Sequence, residues 1–160
     1  MKETEIRVKF EVYQDLQELP ENTRNLMSHA FAARDKAYAP YSEFLVGAAL
    51  LLENGEIITG SNQENAAYPS GLCAERTAIF YAGAKYPDVK IKQLVISVKS
   101  LKRTIKVPTP PCGSCRQAIA EYEFKQKQPI AIYFMGESGE ILKSDSLINI
   151  LPLAFDSSFM

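Results

Sequence analysis

The feature that most restricts how this chain can fold is its cysteines. There are only three, and all of them fall in two short segments. The segments are Ser70-Gly71-Leu72-Cys73-Ala74-Glu75-Arg76-Thr77-Ala78 and Pro111-Cys112-Gly113-Ser114-Cys115-Arg116-Gln117. Each reads as the end of a loop running into a helix. If the thiols act together, the fold has to make two helix starts converge. Three thiols, a carboxylate two residues after the first and a later Pro-Cys-x-x-Cys have the layout of a zinc site with one coordination position left for water. Cys112 and Cys115 are three apart, so on a first helical turn both sulfurs share a face. The partial positive charge of two helix N-termini would favour thiolate over thiol.

The rest of the chain reads as one intracellular domain. At 160 residues, residues 1–160 suit a single domain with a core large enough to need no disulfides, with 1–20 as an N-terminal extension and 152–160 as a C-terminal tail. An odd number of cysteines makes a poor disulfide framework. No apolar run approaches the roughly 20 residues that span a bilayer, and the polar start Met1-Lys2-Glu3-Thr4-Glu5 has no signal-peptide character, so the expected location is the cytoplasm, with no membrane partner. A net charge of −1 also argues against a nucleic-acid partner.

The order of elements points to an α/β fold. Ile6, Val8, Phe10 and Val12 alternate with Arg7, Lys9 and Glu11, as in a strand with one wet face. Pro20 to Thr23 opens a helix with Asn22 or Thr23 as its cap, continuing through Leu26, Ala30, Ala33 and Ala37. The lone histidine, His29, lies there, far from the cysteines, and reads as a packing or surface residue. Asn54-Gly55 between apolar runs predicts a hairpin from Phe44 to Gly60. A helix over Cys73–Ala84, a strand over 93–98, a basic Pro-rich exposed loop over 99–111, a helix over 112–124 and a strand over 129–135 follow. A short strand over 140–143 and a last helix capped by Ser144 complete the pattern.

The charge of the metal site calls for further groups. Three thiolates on Zn²⁺ leave a net negative centre, which a cation or hydrogen-bond donors at the sulfurs would offset. Arg76 is well placed for this, and Arg116 is balanced between this role and surface charge. Glu75 need not be a ligand and could face the open position, where a carboxylate can accept a proton from water and pass it to a substrate.

Cys73-Ala74-Glu75 followed by Pro111-Cys112-Gly113-x-Cys115-Arg116-Gln117 resembles the zinc-dependent nucleoside and nucleobase deaminases. The likeness extends over Tyr38 to Phe155. It includes Tyr41-Ser42-x-Phe44-x-Val46-Gly47-Ala48-Ala49-Leu50 and Asn62-x-Glu64-Asn65-Ala66-x-Tyr68-Pro69, which are closest to the small homotetrameric cytidine deaminases. That resemblance implies a three-layer α/β/α fold around a mixed sheet of about five strands, here with an additional N-terminal strand. It implies one Zn²⁺ per chain on Cys73, Cys112 and Cys115, and deamination of cytidine and 2′-deoxycytidine to the uridines with release of ammonia. Glu75 would carry a proton from the activated water to the ring nitrogen and on to the leaving amine, and Arg76 would bond the sulfurs. Asn62 and Glu64 would hold the ribose 3′-hydroxyl, Phe44 would pack on the base and the backbone near Ala74 would read the cytosine edge. In a homotetramer, Tyr68 would lie near a subunit boundary and Phe155 over a neighbour's substrate.

Rival readings are a deaminase of an aminonucleoside antibiotic, which Asn62-x-Glu64 speaks against, a deaminase of polynucleotides, which the neutral charge speaks against, a thiol–disulfide protein built on Cys-x-x-Cys, and a structural zinc module, which normally has four protein ligands.

Overall fold

The computed structural model describes residues 1–160 and contains a mixed sheet of six strands with helices on both faces. The elements are β1 (Glu11–Tyr13), α1 (Glu21–Arg34), β2 (Phe44–Leu52), β3 (Ile57–Ser61), α2 (Ala74–Lys85), β4 (Ile91–Ser100), α3 (Gly113–Gln126), β5 (Ala131–Met135) and β6 (Ile141–Ser144). The sheet order is β1-β6-β5-β4-β2-β3, and only β4 and β5 run parallel, joined by the α3 crossover. The expected three-layer α/β/α architecture with an additional N-terminal strand is the one observed.

Alternation along the central strands divides the core into two layers. On one face Leu50, Leu94, Ile96 and Ile132 pack against Ala78 and Ile79 of α2 and Ile119 and Ala120 of α3. On the other, Ala49, Val95, Tyr133 and Ile141 meet Leu26, Met27 and Ala30 of α1. Two glycines set how closely the helices approach. A Cβ at Gly47 would lie 2.0 Å from the Ala30 carbonyl oxygen, and one at Gly60 would lie 2.4 Å from the Ala74 carbonyl oxygen. Gly60 thereby seats the first turn of α2, which carries the site, directly on β3.

The hairpin forms as expected. Gly55 takes φ +86, the left-handed region the turn requires, and Asn54 Oδ1 accepts from Glu56 N at 3.1 Å.

Several boundaries differ from the sequence reading, each for a local reason. The N-terminal strand keeps only Glu11–Tyr13, because β6 offers four residues and leaves nothing for Ile6 and Val8 to pair with. Even so, the 1–20 extension reaches the core through Phe10, edge-on to Phe134 at 6.2 Å, and through buried Leu19. Neither Asn22 nor Thr23 caps α1. The helix starts at Pro20, whose carbonyl accepts from Arg24 N at 2.9 Å, and Thr23 is buried inside its first turn. Ala37 falls outside α1, because Tyr38 N bonds to Asn62 O and pulls the chain into extended pairing with the 62–64 segment. The last cap is Ser146, not Ser144. Ser144 is buried at the end of β6 and donates to Ser146 O, while Ser146 Oγ accepts from Ile148 N at 3.2 Å. The 99–111 connection is less exposed than its composition suggests. β4 runs on to Ser100, Ile105 O accepts from Glu137 N at 2.7 Å, and Pro111 is buried.

Candidate active site

Cysteines stand at the starts of both helices on one face of the sheet. Cys73 is the N-cap of α2 and Cys112 the N-cap of α3, both in extended geometry with no side-chain capping bond, so each sulfur is free for another use. Cys115 sits on the first turn of α3, fully buried. The three sulfurs lie within 4.8 Å of one another, with Cys73 and Cys112 Sγ 3.8 Å apart. The two cysteine segments, distant in the chain, have been brought into one cluster.

The electrostatics of that cluster fit a divalent cation. The Cys73 thiol is lowered to about 5, chiefly by a hydrogen bond with Cys115, with Arg76 adding to the effect. Cys115 is driven strongly upward by the Cys73 sulfur and by burial. Three sulfurs this close cannot all carry negative charge unless a cation sits among them. A borderline-soft metal such as zinc suits an all-thiolate donor set, and with three protein ligands one position stays open.

Arg76 Nη2 donates to Cys73 Sγ at 3.8 Å, the contact expected from charge, while its Nε is buried without a partner. Arg116 resolves differently. Its Nε donates to Pro111 O at 2.8 Å and its Nη1 to Ile150 O at 2.9 Å, so it fastens the start of α3 to the 3-10 turn over Leu147–Ile150 and makes no hydrogen bond to a sulfur.

Glu75 is the second residue of α2 and only 5 % exposed. Burial pushes its carboxyl up to about 7, against the lowering pull of its own backbone amide. It lines a cavity of about 410 Å³ together with Cys73, Cys112, Phe44, Asn62 and Glu64. Metal cluster, buried carboxylate and a pocket of small-molecule size are therefore contiguous.

The remaining expected residues divide into two groups. Phe44, Asn62 and Glu64 reach the cavity, but the two polar ones are already engaged. Asn62 Oδ1 accepts from Val46 N at 2.8 Å and its Nδ2 donates to Phe44 O at 2.9 Å, which holds the start of β2. Glu64 accepts from Tyr41 N at 2.9 Å, from Ser42 N at 3.2 Å and from the Ser42 hydroxyl. Although burial opposes it, the Ser42 hydroxyl and these amides keep the Glu64 carboxyl below its usual value. Ala74 is buried at the start of α2 with its carbonyl against Gly60. Tyr68 lines an adjoining cavity of about 480 Å³ that shares Asn62, Glu64 and Cys73 with that of Glu75, whereas Phe155 lines neither. Tyr68 is 75 % exposed and meets Tyr41 edge-on at 6.0 Å, and Phe155 is 59 % exposed and stacks on Phe159 at 5.5 Å. His29 is on the surface.

Sequence reasoning missed Ser42, which organises Glu64, and the cavity walls supplied by Ile96, Val98, Thr109 and Pro110. Only Ser42 left a signal, in its place two residues before Phe44.

The zinc-binding region of the cytidine and deoxycytidylate deaminases matches residues 20–129. This chain belongs to that family. A cytidine deaminase of Halalkalibacterium halodurans is 41% identical over 135 residues, covering 84% of this chain and 95% of that protein. One from Sporosarcina psychrophila is 39% identical over 136 residues, covering 84% and 91%. The crystal structure of cytidine deaminase from Burkholderia pseudomallei superposes with a TM-score of 0.71 at 35% identity, covering 86% of this chain and 100% of that one. Family membership makes zinc the cofactor of this deaminase, and the thiolate cluster is where the fold can accept it.

Proposed function

We propose that this protein hydrolyses cytidine and 2′-deoxycytidine to uridine and 2′-deoxyuridine with release of ammonia, as a step in pyrimidine nucleoside salvage. The observation that carries this reading is Glu75, a buried carboxylate on the wall of a nucleoside-sized cavity, two residues from one member of a three-sulfur cluster.

Cys73, Cys112 and Cys115 would hold the zinc, which when bound would supply the Lewis acidity that makes water a nucleophile at neutral pH. Glu75 accepts a proton from the attacking water at its carboxylate. It delivers that proton to the ring nitrogen, then takes the second proton of the same water from the hydroxyl now on the ring carbon and passes it to the departing amine as the C–N bond breaks and ammonia leaves. A carboxyl raised towards neutrality suits both accepting and giving at physiological pH. Arg76 spreads positive charge over the Cys73 sulfur. Phe44 supplies an apolar surface for the base, and the backbone at Ala74 lies at the start of the helix that faces the cytosine edge. Asn62 and Glu64 contact the ribose hydroxyls with the hydrogen-bonding capacity left over from their backbone bonds. Val98 and Ile96 close the wall and exclude water from the base.

We further read residues 1–160 as one domain of a cytoplasmic homotetramer with sites at subunit boundaries. The exposure of Tyr68 at the rim of the adjoining cavity, and of Phe155 outside both cavities of its own chain, supports that assembly. No helix is long and apolar enough to cross a membrane. Light scattering should give about 72 kDa, four chains of 17.9 kDa; a monomer mass sinks the tetramer without touching the chemistry.

The decisive assay follows the ultraviolet absorbance of cytidine with zinc-loaded protein. Steady loss of the cytidine band, abolished in Glu75→Gln, is the expected result. If the zinc-loaded wild type leaves cytidine unchanged, the proposed reaction is wrong.

A further inference from the structure

Two charged side chains of α3 that the proposed chemistry leaves unused grip one short turn from its two ends. The 3-10 turn over Leu147–Ile150 follows β6. At its start the Glu123 carboxylate, 7 % exposed, accepts from Leu147 N at 2.9 Å, from Ile148 N at 3.3 Å and from the Ser146 hydroxyl. A further bond from Ile130 N at 2.7 Å ties the same carboxylate to the chain entering β5. At the other end Ile150 O accepts from Arg116 Nη1 at 2.9 Å. Arg116 and Glu123 lie two helical turns apart, and so on one face of α3. The turn is thereby a fixed point, held to the helix by an anion at its amide end and a cation at its carbonyl end.

The other edge of the Arg116 guanidinium reaches the backbone of the sulfur cluster. Its Nε donates to Pro111 O at 2.8 Å, the carbonyl of the peptide that leads into Cys112. Pro110 and Pro111 carry no amide hydrogen, so carbonyls are the only backbone handles on the approach to that residue. Packing does little to hold Cys112. Cys115 is fully buried within α3 and Cys73 packs on the core, whereas Cys112 is the exposed member of the three and stands at the N-cap, outside the helix. Its sulfur nonetheless lies 3.8 Å from that of Cys73. Arg116 brackets the residue, its side chain on the carbonyl before it and its amide on Cys112 O at 2.9 Å.

We propose that Arg116 is a positioning residue for the metal centre: by bridging Pro111 O to the anchored turn, it keeps the Cys112 sulfur where a tetrahedral ion requires it. It touches neither metal nor substrate and acts only through the Pro111 peptide. This role rests on the reading that the three sulfurs hold the metal. It also bears on the reaction cavity, because Thr109, Pro110 and Cys112 form one stretch of its wall. A guanidinium has the separate donors that a bridge between two carbonyls requires, whereas an ammonium carries the same charge as a single point. Charge alone does not replace it.

The test reads metal geometry instead of turnover. Full-length wild type, Arg116→Gln, Arg116→Lys and Leu26→Ala are stripped of metal, loaded with Co²⁺ and followed by visible absorption. Zinc-loaded samples of each are challenged with a chelator. The wild type should give the intense ligand-field bands of a tetrahedral thiolate site. Both Arg116 variants should give weakened, shifted bands and lose zinc about 10- to 100-fold more readily, with lysine no better than glutamine. Leu26→Ala, in the core layer against α1, lowers stability without touching the bridge and should keep the wild-type bands. Circular dichroism shows which variants are folded, and if Arg116→Gln is not, Arg116→Lys carries the comparison. Wild-type bands and zinc retention in the Arg116 variants, rescue by lysine, or an equal loss in Leu26→Ala would each overturn the positioning role and leave the metal reading intact. A wild type without thiolate bands would remove the metal reading itself, and the role with it.

Discussion

The sulfur end and the Asn62–Glu64 rim of the same cavity are built on opposite principles. At the metal end the functional atoms are left unspent. Cys73 and Cys112 occupy cap positions without capping, and Glu75 is buried with few partners. At the rim the polar side chains are nearly saturated by the protein's own backbone, Asn62 bridging Phe44 and Val46, and Glu64 gathering Tyr41 and Ser42. A metal and a proton can be taken up only by groups with unmet capacity, and that unmet demand is tolerable because two helix N-termini converge there. The ribose proposed for the rim needs only shape and one or two further bonds, so the rim can be made rigid first. Substitutions at the metal end should therefore change chemistry, and substitutions at the rim should change folding and affinity together.

The largest effect that sharpens this contrast is expected from Cys112→Ser, at the exposed member of the sulfur cluster. Bound zinc, measured by atomic absorption, should fall to background and activity with it. Next is Glu75→Gln, which should keep zinc and structure but lower kcat by about 10²- to 10⁴-fold. Arg76→Gln should weaken zinc retention against a chelator by about 10- to 100-fold while the fold persists.

Rim substitutions come below these in chemical effect. Asn62→Ala removes two bonds from a buried side chain and should lower unfolding free energy by about 1–3 kcal/mol in a denaturant titration, with KM raised more than kcat is lowered. Glu64→Gln carries a pH signature. The folded-state pKa of Glu64 lies below the ordinary 4.5, so its stabilisation is fully present above 4.5 and is lost as pH falls through the lower folded value. The variant should lose that part of the acid sensitivity of Tm. The comparison would break if Asn62→Ala left stability unchanged and abolished turnover.

Smallest is Phe155→Ala. The ring stacks only on Phe159, so stability of the isolated chain should change by less than about 0.5 kcal/mol, and a rise in KM would have to arise in a neighbouring copy.

Legibility in the sequence followed the range of the interactions involved. The hairpin at Asn54-Gly55 and the helix starts at the two cysteine segments depend on neighbours in sequence, and they were readable there. The N-terminal strand was overread, since Ile6 and Val8 have the right alternation but β6 ends before them. Arg116 was undecidable, because its partners Pro111 and Ile150 become adjacent only once α3 is docked. Asn62 and Glu64 could be flagged as cavity residues from their pattern, yet nothing in it revealed that their side chains would be bonded to the 41–46 backbone.

By itself, then, the sequence determined the donor set, the carboxylate beside it and the family, because each is written in residue identities at fixed short spacings. Tertiary structure alone decided that the sulfurs of two helices lie within 4.8 Å, that Glu75 is buried and shifted towards neutrality, and that Arg116 bridges Pro111 and Ile150. Each of these depends on which surfaces lose water when the layers close. Burial is a property of the packed chain that no single segment carries.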